Sequence, residues 1–215
     1  MLSVYGEVEE DIPDDVPPPL GRVVRLTTYV DANLYHDLIT GRSTTGILHL
    51  VNQTPVDWYA KRQNTVETAT YGSEFIAASI AVEQIIDLRN TLRYLGVKVD
   101  GPAFLFGDNQ SVITSSTIPH SSLNKRHNAL AYHRVSESVA AGIVNFMKID
   151  GKQNQADELT KFLPYVTWWP LIQPLLFWKG ETLRDSVPEP DISKGSDTGS
   201  IFSRSGSADS SLSSP

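Results

Sequence analysis

The stretch from Val66 to Leu95 contains no proline and only one glycine, Gly72. Within it Ala77, Ala81, Ile85, Leu88, Leu92 and Leu95 recur three or four residues apart, the period of one helix face. A long amphipathic helix is predicted here, ended by Gly96. Such a stripe needs a second layer to cover it, and the flanking sequence reads as strands. Val23 to Asp31 is rich in β-branched residues, and Thr44 to Val51 and Pro55 to Ala60 read as two more strands joined at Asn52-Gln53-Thr54, giving an antiparallel meander. Ala103 to Phe106 is a short apolar run suited to a central strand, followed by a brief helix from Asn109 to Ser116 and another from Arg126 to Ala141. Ile143 to Ile149 is a fifth strand, and Asn154 is placed to cap a helix running to about Leu163. The predicted order is βββ-α-β-α-α-β-α, an α/β class with a mixed sheet and helices on its faces.

Composition narrows the chemistry. The chain has no cysteine, which excludes disulfides, Cys-ligated zinc, iron–sulfur clusters and thiol catalysis, and fits an intracellular protein. No run reaches the length of a membrane span and the start lacks a basic signal region, so a soluble protein with no membrane partner is expected. The net charge of −7 is uneven. Residues 1–20 hold six acids and no base, and residues 181–215 hold six acids against Arg184, Lys194 and Arg204. The middle, residues 21–180, has 15 basic residues against 13 acidic ones, so a polyanionic substrate is permitted. These shifts divide the chain into an acidic, Pro-rich lead-in at 1–20, a folded domain at 21–180 and a disordered Ser/Gly/Asp-rich tail at 181–215. Both ends are expected to be dispensable for folding.

Four acids stand out. Asp31 and Asp108 close the first and fourth predicted strands, where open α/β sheets place their ligands. Glu74 falls on the apolar stripe of the long helix, and a buried carboxylate calls for a cation or a proton. Asp157 lies one turn into the last predicted helix, in Asn154-Gln155-Ala156-Asp157-Glu158-Leu159-Thr160-Lys161. Such hard oxygen ligands suit Mg²⁺ or Mn²⁺ rather than zinc. Taken singly, each acid has a plainer reading: Asp31 and Asp108 as strand-end or capping residues, Asp157 as a helix-dipole complement, Glu74 as the partner of an arginine. Glu67, seven residues before Glu74, competes for its place. Among the histidines, His49 reads as structural, His36 and His120 as loop surface, and His127 and His133 as candidate substrate contacts. Trp168, Trp169 and Trp178 read as caps on the core.

Six motifs carry the reading further: Tyr29-Val30-Asp31-Ala32-Asn33, Gly41-Arg42-Ser43-Thr44-Thr45-Gly46, Lys61-Arg62-Gln63-Asn64-Thr65-Val66, Gly72-Ser73-Glu74-Phe75, Phe106-Gly107-Asp108-Asn109-Gln110-Ser111 and Gln155-Ala156-Asp157-Glu158-Leu159-Thr160-Lys161. In this order, over roughly residues 27–163, they resemble the ribonuclease H domain of copia-type LTR retrotransposon Pol polyproteins. The resemblance implies a ribonuclease H-like fold, with a five-stranded mixed sheet of an antiparallel meander plus parallel strands. It gives Asp31, Glu74, Asp108 and Asp157 the catalytic and metal-ligand places. Glu74 is preferred over Glu67 because the family's glutamate is followed by an aromatic, here Phe75. The implied activity is hydrolysis of the RNA strand of an RNA/DNA hybrid with two Mg²⁺ ions about 4 Å apart, or Mn²⁺ in their place, and no small-molecule cofactor. Asp31 would bridge the ions, with Glu74 and Asp108 on the leaving-group side and Asp157 on the nucleophile side. Arg42, Ser43, Thr44, Asn109, Gln110, Lys125, Arg126 and His127 would lie along the hybrid.

The same resemblance implies reverse transcriptase and integrase parts of one polyprotein as partners. It also implies a cytoplasmic virus-like particle, with the nucleus as a second location. The loop Gly151-Lys152-Gln153-Asn154-Gln155 has no histidine, unlike cellular type I enzymes, so no residue is assigned to that histidine's role. The competing reading is a non-catalytic connection module with the same fold. An integrase core is disfavoured because its glutamate would come late, whereas Glu74 precedes Asp108.

Overall fold

The computed structural model describes residues 5–6, 8–99, 101–118 and 128–176 of the chain. Two compact units divide it, Met1–Gly180 and Glu181–Pro215. The second unit, holding the predicted tail, lies outside the described residues, as do His120 and Trp178. In the first unit the chain forms β1 (Leu20–Val24), β2 (Leu26–Asp37), β3 (Arg42–Val51), β4 (Thr54–Arg62), α1 (Thr70–Tyr94), β5 (Val97–Val99), β6 (Ala103–Gly107), α2 (Gln110–Thr117), α3 (Ala129–Ala140), β7 (Val144–Lys148) and α4 (Tyr165–Leu176). Two 3₁₀ turns, Gly151–Gln153 and Gln155–Leu159, precede α4.

The main sheet has the order β4-β3-β2-β6-β7. Strands β2, β3 and β4 form the antiparallel meander, and β6 and β7 add to β2 in parallel. This is the mixed five-stranded sheet of the ribonuclease H-like fold. Along β2 the buried Leu26, Thr28, Val30 and Ala32 face the core while Thr27 and Tyr29 are half-buried, as a period of two requires. Across the core, α1 presents Phe75, Ala77, Ala78, Ala81, Val82 and Ile85, all fully buried. Its alanines bring the helix close to the sheet, and its stripe fades toward Leu95, which is 72% exposed. His49 is structural: its ring bonds Thr28 of β2 at 2.8 Å and Gln84 of α1 at 3.0 Å.

Several boundaries differ from the sequence reading. The first predicted strand is two, because the chain breaks at Arg25, whose N–H is taken by the Asn52 side chain. The leading piece, β1, pairs instead with β5 in a separate two-stranded parallel sheet. Helix α1 starts at Thr70 rather than Val66, so Glu67 sits in the loop ahead of it and shares no helix face with Glu74. The predicted helix from Asn154 is a single 3₁₀ segment, Gln155–Leu159. Asn154 accepts from Ala156 N–H as a cap should, but its amide also donates to Val30 C=O at 2.9 Å, which ties the turn to the sheet. A helix not foreseen, α4, forms despite Pro170 and Pro174. Their missing N–H groups fall four residues apart on one side, and the rings of Tyr165, Trp168 and Trp169 pack against each other at its start.

The lead-in is extended, yet it is part of the packed structure. Both oxygens of Glu10 accept from the Arg89 and Arg93 guanidinium groups at 2.6 to 2.8 Å, and Arg89 also donates to Gly101 C=O. Arg89 is only 3% exposed. Tyr94 donates to Asp15, and Leu20 N–H to Gly96 C=O. These contacts weigh against the expectation that residues 1–20 are dispensable for folding, since removing them would strand a buried guanidinium. Among the described residues, no helix is long and apolar enough to cross a membrane.

Candidate functional site

The last parallel pair between β2 and β6 is Tyr29 with Phe106. Asp31 and Asp108 each lie two residues further on, so the register sets them side by side: Asp108 just past the end of β6, and Asp31 midway along β2, which runs on to Asp37 along β3 instead of closing at Asp31 as expected. Glu74, in the first turns of α1, reaches the same point and is only 5% exposed. One carboxylate oxygen from each of Asp31, Glu74 and Asp108 lies within 4.8 Å of the others. Three acids far apart in the chain thus converge where sheet topology puts ligands.

Asp157 belongs to the same neighbourhood but not to that trio. It sits in the second 3₁₀ turn, where its carboxylate pairs with Lys161 Nζ at 2.9 Å. Lys161 also reaches Asp31 Oδ1 at 3.3 Å, and the Thr160 hydroxyl donates to Asp31 Oδ2. The turn can lie this close because β3 carries Gly46 opposite Asp31. A Cβ on Gly46 would stand 2.6 Å from the Thr160 methyl and 2.8 Å from Ala156 C=O. On the other side Gly151 approaches Asp108 Oδ2, so the loop without a histidine borders the cluster. Gln63 braces the rim by donating to Thr45 and to Ser73 C=O, both at 2.9 Å.

Electrostatically the site gathers four carboxylates around a single ammonium, Lys161. Burial pushes Glu74 well above the usual range, and the charges of Asp31 and Asp108 push it further, against Lys161 and the Ala32 N–H that bonds it. Burial also raises Asp108, with Asp31 adding to it. Burial lifts Asp157 to about 6, Asp31 and Asp108 adding and Lys161 opposing. For Lys161 itself burial works downward, but Asp31 and Asp157 outweigh it and hold the ammonium above its ordinary value. Next to Asp157, burial alone lifts Glu158 to about 7. An all-oxygen, partly dry, mutually repelling donor set fits a hard divalent cation, and fits zinc poorly.

The residues expected along a hybrid fare unequally. Arg42 and Thr44 are half-buried at the start of β3, and Gln110 is exposed on α2, where its amide donates to Thr114. Asn109 spends its side-chain oxygen capping α2, accepting from Ser111 and Val112 N–H. Ser43 is fully buried and cannot touch a ligand, because it points inward on the alternation of β3. Lys125, Arg126 and His127 lie outside the described residues. His36 is exposed, bonded to Asn33 and stacked on Phe162, while His133 bonds Tyr5. Glu67 is buried beside Gly72, apart from the acid trio. Sequence reasoning missed Thr160, Lys161 and Gly46 as parts of the site, although each stands inside a quoted motif.

The sheet order and flanking helices are those of a ribonuclease H-like fold, and three acids gather beside the end of β6. No protein-family model matches the chain. In sequence it is similar to the retrovirus-related Pol polyprotein from transposon TNT 1-94 of Nicotiana tabacum, 30% identical over 139 residues that make up 65% of this chain and 10% of the relative. The Pol polyprotein from transposon RE2 of Arabidopsis thaliana is 25% identical over 150 residues, 69% of this chain and 10% of that one. The chain spans about a tenth of the length of these curated relatives. Among solved structures, LC11-RNase H1, isolated from compost, matches with a TM-score of 0.48 at 14% identity, over 63% of this chain and 92% of that one. The sequence matches and the sheet order are consistent with a ribonuclease H domain of a copia-type Pol polyprotein.

Proposed function

We propose that the chain is a divalent-metal-dependent endoribonuclease that cleaves the RNA strand of RNA/DNA hybrids, as the ribonuclease H part of a copia-type Pol polyprotein. The observation that carries this reading is the convergence of Asp31, Glu74 and Asp108 beside the end of β6, with oxygens within 4.8 Å and Lys161 as the one ammonium paired with them among the described residues. Asp31, Glu74 and Asp108 would hold the metal, with Asp157 joining from the facing turn. When bound, the metal supplies an activated water and neutralises charge on the phosphate and the leaving oxygen. The protein's own groups fix the ligands. Ala32 N–H orients Glu74, Thr160 orients Asp31, and Asn154 anchors the turn that bears Asp157. Arg42 and Gln110 would contact the backbone, and RNA would be told from DNA by its 2′-hydroxyls.

The test is cleavage of a labelled hybrid by the full chain in different metals. Mg²⁺ and Mn²⁺ support cleavage, whereas Ca²⁺, larger and tolerant of irregular coordination, occupies the acids without holding water and phosphate in line. Equal rates in Mg²⁺ and in EDTA contradict the reading, and no cleavage in any metal favours the non-catalytic connection module.

A further inference from the structure

Within the acid cluster one cation is already present, and it belongs to the protein. Lys161 Nζ lies 2.9 Å from Asp157 and 3.3 Å from Asp31, and the lysine side chain is two-thirds buried. Asp31 is engaged on both oxygens, by Lys161 on Oδ1 and by Thr160 on Oδ2. Among the described residues these are the only ion pairs made by the four acids. The cluster is thus unequal: Lys161 spans the space between Asp31 and Asp157, while Glu74 and Asp108 make no ion pair among the described residues.

We propose that Lys161 is a positioning residue that stands in for a cation between Asp31 and Asp157, holding the Asp157 turn against the sheet without metal and competing with a divalent ion for that side. This rests on the reading of the acids as metal ligands. An ion that draws Asp157 toward Asp31 must displace the ammonium, and the energy of that ion pair is subtracted from the ion's affinity. The side formed by Asp31, Glu74 and Asp108 gives up only the longer Lys161–Asp31 contact at 3.3 Å, so its cost is smaller. Two unequal sites follow, a tighter one at the three gathered acids and a weaker one at Asp31 and Asp157. Lys161 can leave, since it sits at the end of a flexible stem with a third of its side chain in solvent.

The experiment compares the full chain with Lys161→Met and Lys161→Arg, by Mn²⁺ titration calorimetry and by melting in EDTA and in saturating Mn²⁺. For the parent, one tighter and one weaker Mn²⁺ event are expected. In Lys161→Met the weaker event tightens by about tenfold or more, since a unit charge a few Å away is gone. The same variant melts several degrees below the parent in EDTA, and the gap closes in Mn²⁺. Lys161→Arg keeps the charge, so it keeps the EDTA melting temperature and the weak second event. Unchanged or weaker Mn²⁺ binding in Lys161→Met, or an equal melting deficit with and without metal, overturns the proposal and makes Lys161 a structural ion pair. Should Lys161→Met not fold, Lys161→Gln is read by the same criteria. A parent that shows no Mn²⁺ binding and no metal-induced shift in melting overturns the metal reading itself, a result distinct from the others.

Discussion

Replacing Asp108 by asparagine abolishes cleavage and at the same time raises the melting temperature of the metal-free protein. Loss of one ligand oxygen charge removes several kcal/mol of transition-state stabilisation, roughly a thousandfold in rate. The gain in stability has a separate cause. Asp108 lies against Asp31 and Glu74 with its carboxyl raised by burial and by Asp31, while Lys161 is engaged with Asp31 and Asp157. Asparagine has nearly the same shape, so the packing of Phe106 and Tyr29 beside it survives. Relief of about 1 kcal/mol moves a domain of this size by about 2–4 °C. Added Mg²⁺ should stabilise the parent more than the variant, because it binds the parent's folded state more tightly. A variant that cleaves normally, or that melts lower both with and without metal, would make Asp108 a structural residue.

The acid cluster also sets a pH dependence. Glu74, Asp108 and Asp157 bind protons more tightly folded than unfolded, so the metal-free protein gains stability as pH falls from about 6, the folded value for Asp157, toward the ordinary aspartate value of 3.8. Saturating Mg²⁺ should flatten this slope.

Glu10→Ala lowers the melting temperature by roughly 5–10 °C. Two guanidinium groups lose their acid, and Arg89, 4% exposed at its side chain, keeps only the Gly101 carbonyl among the described residues. Stranding a buried partner costs about 3–5 kcal/mol, and the partial access of water to Glu10 brings this to about 2–3. Truncation at residue 20 has at least this effect. Although burial works upward on Glu10, the hydrogen bonds and charges of Arg89 and Arg93 hold its carboxyl at about 2, against 4.5 unperturbed. Its contribution is therefore complete above about pH 4.5 and is lost as pH falls from there to about 2. This sign is opposite to that of the acid cluster, and Glu10→Ala should remove it. A Glu10→Ala protein that melts like the parent at pH 7 would show the lead-in to be unattached.

Much of this architecture can be read in the sequence because periodicity reports burial. The stripe through Ala77, Ala81 and Ile85, and the position of Asp108 at the end of its strand, are local patterns that fix which face each residue presents, whereas Asp31 lies midway along a strand that runs on to Asp37. The Asp157 turn is not legible in this way. Asn154 caps it as a helix start would, and its 3₁₀ geometry comes from a bond to Val30 and from the space left by Gly46, both more than a hundred residues away. Lys161 and Thr160 are visible in a motif, but their partner Asp31 is at the other end of the domain. The lead-in misleads for a related reason. Prolines and acids look like solvated tail, yet Arg89 sits four residues after Ile85 on the helix and needs an acid that the local sequence does not supply. Ser43 shows the reverse failure, since a polar residue in a polar motif is turned inward by strand alternation.

The central claim is that these acids hydrolyse the RNA strand of a hybrid. Its most direct measurement incubates the full chain with end-labelled RNA/DNA hybrid, duplex RNA and duplex DNA of one sequence in Mg²⁺, with Asp108→Asn alongside. Cleavage is expected of the RNA strand in the hybrid alone, leaving a 3′ hydroxyl and a 5′ phosphate, and none with the variant. Equal cleavage of all three duplexes, or cleavage that survives in Asp108→Asn, would contradict it.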